Sequence, residues 1–328
     1  MATTSLVERA KSRVHKQLVT SLDVPYTGNS DILYSASRDK KVYQWKLNTS
    51  AMERVGTLTK EYTGHNHFIT DVKANKTNEM IITTSYDHTA RIYDVNTQKY
   101  TILKGHKKDL TGVTINTEDN KIITGSCDGS IALWNTEGVL SKVLTPENPS
   151  SIPIWVNCVS FVPNTNLCVT GSSDGKLRIW DIDSGKIVRT FVNGNNLEYY
   201  ATNEIPVPEA NMITALSISA DGSFCAYGGR DCMVYIITLS DAACLLQFET
   251  ETPITSLAFA ITEPIIAVGT RNGIICWDVI GNERAAIIEN ESKTVYCTAL
   301  TWAKTRLVTG YNDGTIVLYD FVRNVADN

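Results

Sequence analysis

A short segment that ends in an aromatic side chain, often followed by Asp, recurs seven times along the chain. Two clear copies are TGSCDGSIALWN at 124–135 and TGSSDGKLRIWD at 170–181. The turn residues of the seven copies are Asp39, Asp87, Asp128, Asp174, Asp231, Asn272 and Asp313. Their spacings are 48, 41, 46, 57, 41 and 41 residues. A repeat of this length is typical of four-stranded propeller blades.

The third copy shows how one repeat makes one blade. KIITGS and SIALWN are β-rich runs on either side of a tight turn, and LTGVTIN and GVLSKVL supply two further strands. One blade cannot bury both of its faces, so blades stack around a channel. We therefore predict an all-β, seven-bladed propeller that forms a single domain over residues 1–328. An N-terminal strand at about residues 4–10 completes blade 7 and hides its edge.

The composition indicates a globular chain, with 43% hydrophobic and 20% charged residues. The first residues contain no apolar core of a secretory signal, and no apolar run is long enough to span a membrane. The eight cysteines include no CxxC pair, and most lie in apolar runs. These features favour small buried thiols in a reducing compartment, so we expect a cytoplasmic protein.

Charge is unevenly distributed along the chain, whose net charge is −5. Residues 1–110 contain 17 Lys or Arg and 11 Asp or Glu, a net of +6, and the remainder contains 13 and 24, a net of −11. This asymmetry predicts that the first third faces a polyanion while the acidic remainder keeps the protein soluble.

Two Gly-His pairs, Gly64-His65 and Gly105-His106, precede their blades and resemble the first half of the WD40 repeat. The resemblance implies a buried hydrogen-bond chain in each blade between His, Ser or Thr, the turn Asp and the aromatic residue. The expected sets are His65, Thr83, Asp87 and Tyr93; His106, Thr124, Asp128 and Trp134; and, without a His, Thr170, Asp174 and Trp180.

Longer stretches of sequence resemble one family among the WD40 proteins. LYSASRDKKVYQWKL at 33–47, TGHNHFITDV at 63–72 and LKGHKKDLTGV at 103–113 resemble the receptor for activated C kinase family. The resemblance implies a non-catalytic WD40 scaffold on the head of the small ribosomal subunit. Its expected partners are ribosomal RNA, ribosomal proteins, protein kinases and other signalling proteins. One departure is that the longest interval lies between Asp174 and Asp231 rather than between the last two blades.

The triplet Arg38-Asp39-Lys40 matches the ribosome-docking motif of that family residue by residue. We therefore predict that Arg38 and Lys40 contact RNA phosphates, with Asp39 facing inward. The full set of candidate ribosome-binding residues is Arg38, Lys40, Lys41, Arg13, Lys16, Lys107 and Lys108. Arg38 should matter most, because guanidinium can bind a phosphate through two parallel hydrogen bonds.

Other classes of function are weighed against this prediction. Ser, His and Asp recur in the blades, but the repeat assigns them buried structural roles, so no catalytic triad, metal site or cofactor is expected. The alternative is another WD40 adaptor, either G-protein β-like or a ubiquitin-ligase substrate adaptor. The insertion 192–211 is interpreted as a solvated loop, with Tyr199 and Tyr200 as possible anchors for a peptide.

Overall fold

Seven antiparallel sheets make up the fold. The structure, a computed structural model, describes residues 3–25, 31–48, 54–116, 118, 120–146, 154–196, 211–241, 243–290 and 292–324. Most of the insertion, including Tyr199 and Tyr200, lies outside these residues. Each sheet is one blade of four strands, and blade 4 has a fifth, two-residue strand. The predicted seven-bladed WD40 propeller is confirmed.

The four strands of a blade run from the central channel to the outer edge. The innermost strands of blades 1 to 7 are β2 (Val19–Asp23), β6 (Ile69–Ala74), β10 (Leu110–Ile115), β14 (Val156–Phe161), β19 (Ile213–Ile218), β23 (Ile254–Phe259) and β27 (Cys297–Ala303). The second strands are β3 (Ile32–Ser37), β7 (Met80–Ser85), β11 (Lys121–Ser126), β15 (Leu167–Ser172), β20 (Phe224–Gly229), β24 (Ile265–Thr270) and β28 (Arg306–Tyr311).

The outer half of each blade follows the same order. The third strands are β4 (Val42–Leu47), β8 (Thr89–Asp94), β12 (Ile131–Asn135), β16 (Lys176–Asp181), β21 (Met233–Thr238), β25 (Gly273–Asp278) and β29 (Thr315–Asn324). The outermost strands of blades 1 to 6 are β5 (Gly56–Tyr62), β9 (Tyr100–Lys104), β13 (Leu140–Leu144), β17 (Lys186–Val192), β22 (Cys244–Glu249) and β26 (Glu283–Glu289). The extra strand of blade 4 is β18 (Asn195–Asn196).

The N-terminal strand β1 (Thr3–Arg13) closes the ring as the outermost strand of blade 7. It pairs antiparallel with β29 from Thr3 opposite Asn324 to Arg13 opposite Thr315. The pairing extends beyond the predicted end at residue 10. Closure is reinforced by Arg9, whose Nε lies 2.6 Å from the carboxylate of Asp320.

The hydrophobic core lies between neighbouring blades rather than within any one of them. Consecutive residues of β7 show why: Ile81 packs with blade 1, and Ile82 packs with blade 3. Successive strand residues point to opposite faces, so an apolar run fills both interfaces. Blade interfaces are thus continuous around the ring, and each blade depends on two neighbours.

A second set of contacts joins the blades at the channel. In six blades, the second residue of the innermost strand donates its side-chain hydrogen bond to a carbonyl oxygen of the next blade, at 2.5 to 2.9 Å. The donors are Thr70, Thr111, Asn157, Thr214, Thr255 and Thr298, and we call these contacts the ring hydrogen bonds. The hydroxyl of Thr20, at the same place in blade 1, is buried and has no partner among the described residues.

We expect the ring to lose much of its stability when β1 is removed. Deleting residues 1–13 exposes the edge of β29 and removes a run of backbone hydrogen bonds, each worth about 1 kcal/mol net, so the melting temperature should fall by roughly 10 °C. Ala10→Glu tests the same contact in the full chain, because Ala10 is buried against blades 1 and 7, and exposed Lys11→Glu is its control. Unchanged melting of both the deletion and Ala10→Glu would contradict closure by β1.

The ring hydrogen bonds give a matched pair of substitutions. Thr298 donates to the carbonyl of Val19 at 2.7 Å across the junction of blades 7 and 1. Thr298→Val keeps the shape but removes the donor, so the free energy of unfolding should fall by about 1 kcal/mol. Thr20→Val removes a buried hydroxyl without a partner and should be neutral or stabilising. Urea unfolding measures both, and equal losses would show that the ring hydrogen bonds carry no stability.

Candidate functional site

One face of the ring carries the loops that enter each blade together with the turns between the second and third strands. Backbone hydrogen bonds join these two kinds of loop. The amide of Arg38 donates to the carbonyl of Leu18 at 3.0 Å, and that of Tyr86 to Phe68 at 3.0 Å. We call this the upper face. All seven candidate ribosome-binding residues lie in or beside its loops.

Blade 1 contains a buried hydrogen-bond chain that the sequence analysis missed. Trp45 Nε1 donates to Ser35 Oγ at 2.9 Å, and His15 bridges Ser35 at 2.8 Å and Asp39 at 2.9 Å. The arrangement that satisfies every donor puts the imidazole proton on Nδ1, facing Asp39. The signal was present, since Ser35 precedes Trp45 by the same ten residues that separate Thr124 from Trp134. His15 was overlooked because Val14, not Gly, precedes it.

Blades 2 and 3 repeat this chain with the expected histidines. His65 contacts Asp87 at 2.7 Å and Thr83 at 2.7 Å. In blade 3, His106 contacts Asp128 at 3.1 Å and Thr124 at 2.8 Å. Trp134 Nε1 completes that chain by donating to Thr124 at 2.9 Å.

Tyr93 does not join the blade 2 chain, although the sequence predicted that it would. Its hydroxyl donates to the carbonyl of Thr63 at 3.0 Å instead of joining Thr83. The physical reason is reach: a phenol carries its hydroxyl at the far end of the ring, beyond the place where an indole N–H lies.

Blade 4 satisfies its turn Asp without a histidine. Trp180 Nε1 donates to Thr170 at 2.9 Å, as in blades 1 and 3. Asp174 is instead bound by Arg178, whose Nη2 lies 2.5 Å from Oδ2. Arg178 comes from the next strand, four residues after Asp174. It therefore supplies the buried hydrogen-bond donor that a histidine supplies in blades 1 to 3.

The chain in blade 1 fixes the tip of the first turn. The carboxylate of Asp39 accepts hydrogen bonds from His15 and from the backbone amides of Lys16 and Lys41, at 2.9 to 3.1 Å. Asp39 is thereby turned inward and its charge is satisfied by neighbours. Its flanking residues Arg38 and Lys40 are exposed. A rigid turn thus presents two cations to solvent.

The other candidate cations fall on the same face, in blades 1 and 3 and at the end of the strand that completes blade 7. Lys16 is exposed in the loop that enters blade 1, and Lys107 and Lys108 are exposed in the loop that enters blade 3. Arg13 is exposed at the end of β1. Lys41 differs, because its ammonium forms an ion pair with Glu61 at 2.6 Å. We call Arg13, Lys16, Arg38, Lys40, Lys107 and Lys108 the basic rim.

The backbone of Lys40 is left-handed, with a φ of 70°. The same position of the turn is glycine in blades 3, 4 and 7, at Gly129, Gly175 and Gly314. A residue with a Cβ costs about 1 kcal/mol in this conformation. Such strained residues gather at functional sites. His88 and Cys232 take the same conformation in blades 2 and 5. The side chain of Lys40 is therefore present at a cost in backbone conformation.

The charged side chains of the channel join blades to one another. A cavity of about 520 Å³ runs along the axis and is lined largely by Thr, Ser and small apolar residues. Asp71 accepts from Ser21 Oγ at 2.6 Å in blade 1 and from the amide of Val113 at 3.0 Å in blade 3. Lys73 and Asp23 form an ion pair at 2.9 Å. Asp23 and Asp71 therefore have a structural role in the channel, where they join neighbouring blades.

The described residues contain no cluster of three or more His, Cys, Asp or Glu side chains that could hold a metal ion. Nor do they contain a helix with the length and apolar character needed to cross a membrane.

Seven four-stranded blades, with a His–Asp contact behind the turn in blades 1 to 3, define a protein of the WD40 β-propeller class. The WD40 G-β repeat profile matches residues 9–46, 56–94 and 97–135, and the profile of the nucleolar protein 10-like N-terminal domain matches residues 144–305. The guanine nucleotide-binding protein subunit beta-like protein of Encephalitozoon cuniculi (strain GB-M1) is 32% identical, covering 92% of this chain and 93% of its own length.

Plant proteins are also similar over almost the whole chain. Small ribosomal subunit protein RACK1z of Arabidopsis thaliana is 29% identical, covering 97% of this chain and 98% of its own length. Small ribosomal subunit protein RACK1z of Oryza sativa subsp. japonica is 30% identical, covering 96% of each. The chain belongs to the receptor for activated C kinase family of guanine nucleotide-binding protein subunit β-like proteins, as the sequence resemblance predicted.

The buried turns predict a specific dependence of stability on pH. Burial alone would raise the pKa of the Asp128 carboxyl, but hydrogen bonds from His106, Ser130 and the Lys107 amide hold that pKa well below its usual value of 3.8. The pKa of Asp87 is lowered in the same way by His65 and Thr89 against the effect of burial. A carboxyl that is harder to protonate when folded stabilises the protein above its unfolded pKa, and that stability is lost as the pH falls below about 4.

Asp128→Asn should lower the free energy of unfolding at pH 7 and weaken its fall between pH 5 and 3, since the amide cannot titrate. Urea titrations across this pH range measure the effect, with exposed Asp241→Asn as the control. If Asp128→Asn and the wild type lose stability in parallel as the pH falls, the Asp128 carboxylate is not a source of the acid sensitivity.

Proposed function

We propose that this protein is a scaffold that docks on the small ribosomal subunit through the basic rim and has no catalytic activity of its own. It acts as a single propeller over residues 1–328 in the cytoplasm. The observation that carries the proposal is the first turn, where buried Asp39 separates exposed Arg38 and Lys40. Relatives that are named small ribosomal subunit proteins support the same assignment.

The chemistry of the rim suits ribosomal RNA. Arg38 can bind one phosphate through two hydrogen bonds, whereas Lys40, Lys16, Lys107 and Lys108 act as point charges. The carboxylates beneath them face their histidines and do not cancel this charge at the surface. Neutralising about four phosphates would give a slope near −3 for the logarithm of affinity against the logarithm of salt concentration.

The remainder of the ring is free for protein partners in this proposal. Residues after 110 carry a net charge of −11, so they are repelled by RNA and turn the first blades toward the ribosome. We propose that this remainder binds ribosomal proteins at its border and recruits protein kinases and other signalling proteins. The family resemblance supports kinases as the partners.

The decisive test is the double substitution Arg38→Asp with Lys40→Glu. Both side chains are exposed, so the variant should fold as the wild type does yet leave purified small subunits at moderate salt in a sucrose gradient. The charge-matched control is Lys99→Asp with Lys186→Glu, because both lysines are exposed on the opposite face, where third strands lead to outermost strands. If the double variant still sediments with the subunit like the wild type, the docking site is elsewhere.

A second pair of substitutions separates the effect of the Lys40 charge on docking from any effect on folding. Lys40→Gly removes the ammonium and the left-handed strain together, so it should be at least as stable as the wild type yet bind the subunit more weakly. Cys232→Gly relieves the same strain in blade 5, where φ is 61°, and should leave docking unchanged.

The wild type decides between the proposal and its alternative. If the wild type itself does not sediment with the subunit, another WD40 adaptor function is favoured.

A further inference from the structure

Blade 2 carries three aromatic rings on the upper face between the two groups of rim cations. The ring centroid of His67 lies 4.5 Å from that of Phe68 and 5.9 Å from that of Tyr86. His67 and Tyr86 are nearly parallel, with an interplanar angle of 24°. We call His67, Phe68 and Tyr86 the aromatic platform.

The platform is held in place by its backbone. The amide of Tyr86 donates to the carbonyl of Phe68 at 3.0 Å, and Ser85 Oγ donates to the carbonyl of His67 at 3.3 Å. These bonds tie the loop that enters blade 2 to its turn. The rings belong to none of the hydrophobic core clusters between blades, and His67 is exposed. The platform is therefore ordered without serving the core.

Arg38 connects the platform to the basic rim. Its guanidinium carbon lies over the ring of Phe68, 5.4 Å from the centroid, so the strongest candidate for a phosphate contact sits against the aromatic platform. Lys40 and Lys16 lie on the blade 1 side, and Lys107 and Lys108 on the blade 3 side. Of the rings, His67 is exposed, and Phe68 and Tyr86 are half-buried. Cations that flank such a set of rings match a ligand that has a negative backbone and flat π faces.

We propose that the aromatic platform stacks an unpaired RNA base whose flanking phosphates are bound by Arg38 and the neighbouring lysines. This inference rests on the proposed docking to ribosomal RNA and specifies that the RNA is unpaired at the contact. Bases in a duplex are covered by their neighbours, whereas unpaired bases can stack on aromatic side chains. Stacking tolerates any base, so the platform should show little preference among sequences.

The test uses Phe68→Leu in combination with His67→Ser in the full chain. The probes are a short oligouridine that contains one 2-aminopurine and a duplex RNA of equal length, each titrated at low salt. For the wild type, the 2-aminopurine fluorescence should be quenched on binding. The variant should bind the unpaired probe about tenfold more weakly, without quenching, and with an unchanged salt slope. Its affinity for the duplex should be unchanged.

The chain offers a matched control on the same face. Arg271, in the turn of blade 6, lies 5.6 Å from the ring centroid of Tyr296, which is in the loop that enters blade 7. This pair repeats the arrangement of Arg38 and Phe68 outside the basic rim. Tyr296→Leu should therefore alter neither affinity nor quenching. Thermal melting of each variant shows that differences in binding do not come from unfolding.

The outcomes separate this inference from the docking proposal. Two results together support both proposals. The double variant Arg38→Asp with Lys40→Glu should bind both probes more weakly, and the platform variant should lose binding of the unpaired probe alone. If the platform variant binds both probes like the wild type, base stacking is overturned while phosphate docking stands. If it keeps RNA binding yet leaves the ribosome, the platform contacts a ribosomal protein and the inference fails. If the wild type binds neither RNA probe nor the small subunit, both proposals fail.

Discussion

The pairing of β1 with β29 is the contact on which the rest of the structure depends. Each blade buries its two faces against its neighbours, so an open ring would leave two faces and a strand edge in water. The pairing joins the first described residues to the last described ones, and Thr298 adds a ring hydrogen bond to Val19 at the junction of blades 7 and 1. Closure therefore converts seven weak units into one structure.

The inward position of the turn Asp determines which side chains the upper face presents to solvent. In blades 1 to 3, a histidine and backbone amides satisfy the carboxylate, so the residues beside it are held outward. The same geometry has a structural role in blade 4, where Arg178 binds Asp174. In the proposed docking, the upper face thus binds through the side chains that flank a turn whose shape is already fixed.

The blades differ in the side chains that they carry on the upper face. Blades 1 and 3 carry the rim cations other than Arg13, and blade 2 carries aromatic rings between them. In blade 6, by contrast, the turn is short, its turn residue is Asn272, and the indole N–H of Trp277 is buried with no partner among the described residues. A repeated framework therefore tolerates loss of the hydrogen-bond chain in such a blade, because the interfaces with its two neighbours hold the blade in place.

The sequence by itself determined the blades, because turn residues, β-rich runs and aromatic ends act within about forty residues of one another. It also placed Arg38 and Lys40 beside a buried Asp39, since that motif is local. Tertiary structure decided what depends on distant or neighbouring segments. His15 reaches Ser35 from the preceding loop, Tyr93 finds Thr63 rather than Thr83, and Arg38 lies over Phe68 only because blades 1 and 2 are adjacent. Such contacts are set by the closed ring, and no local pattern encodes them.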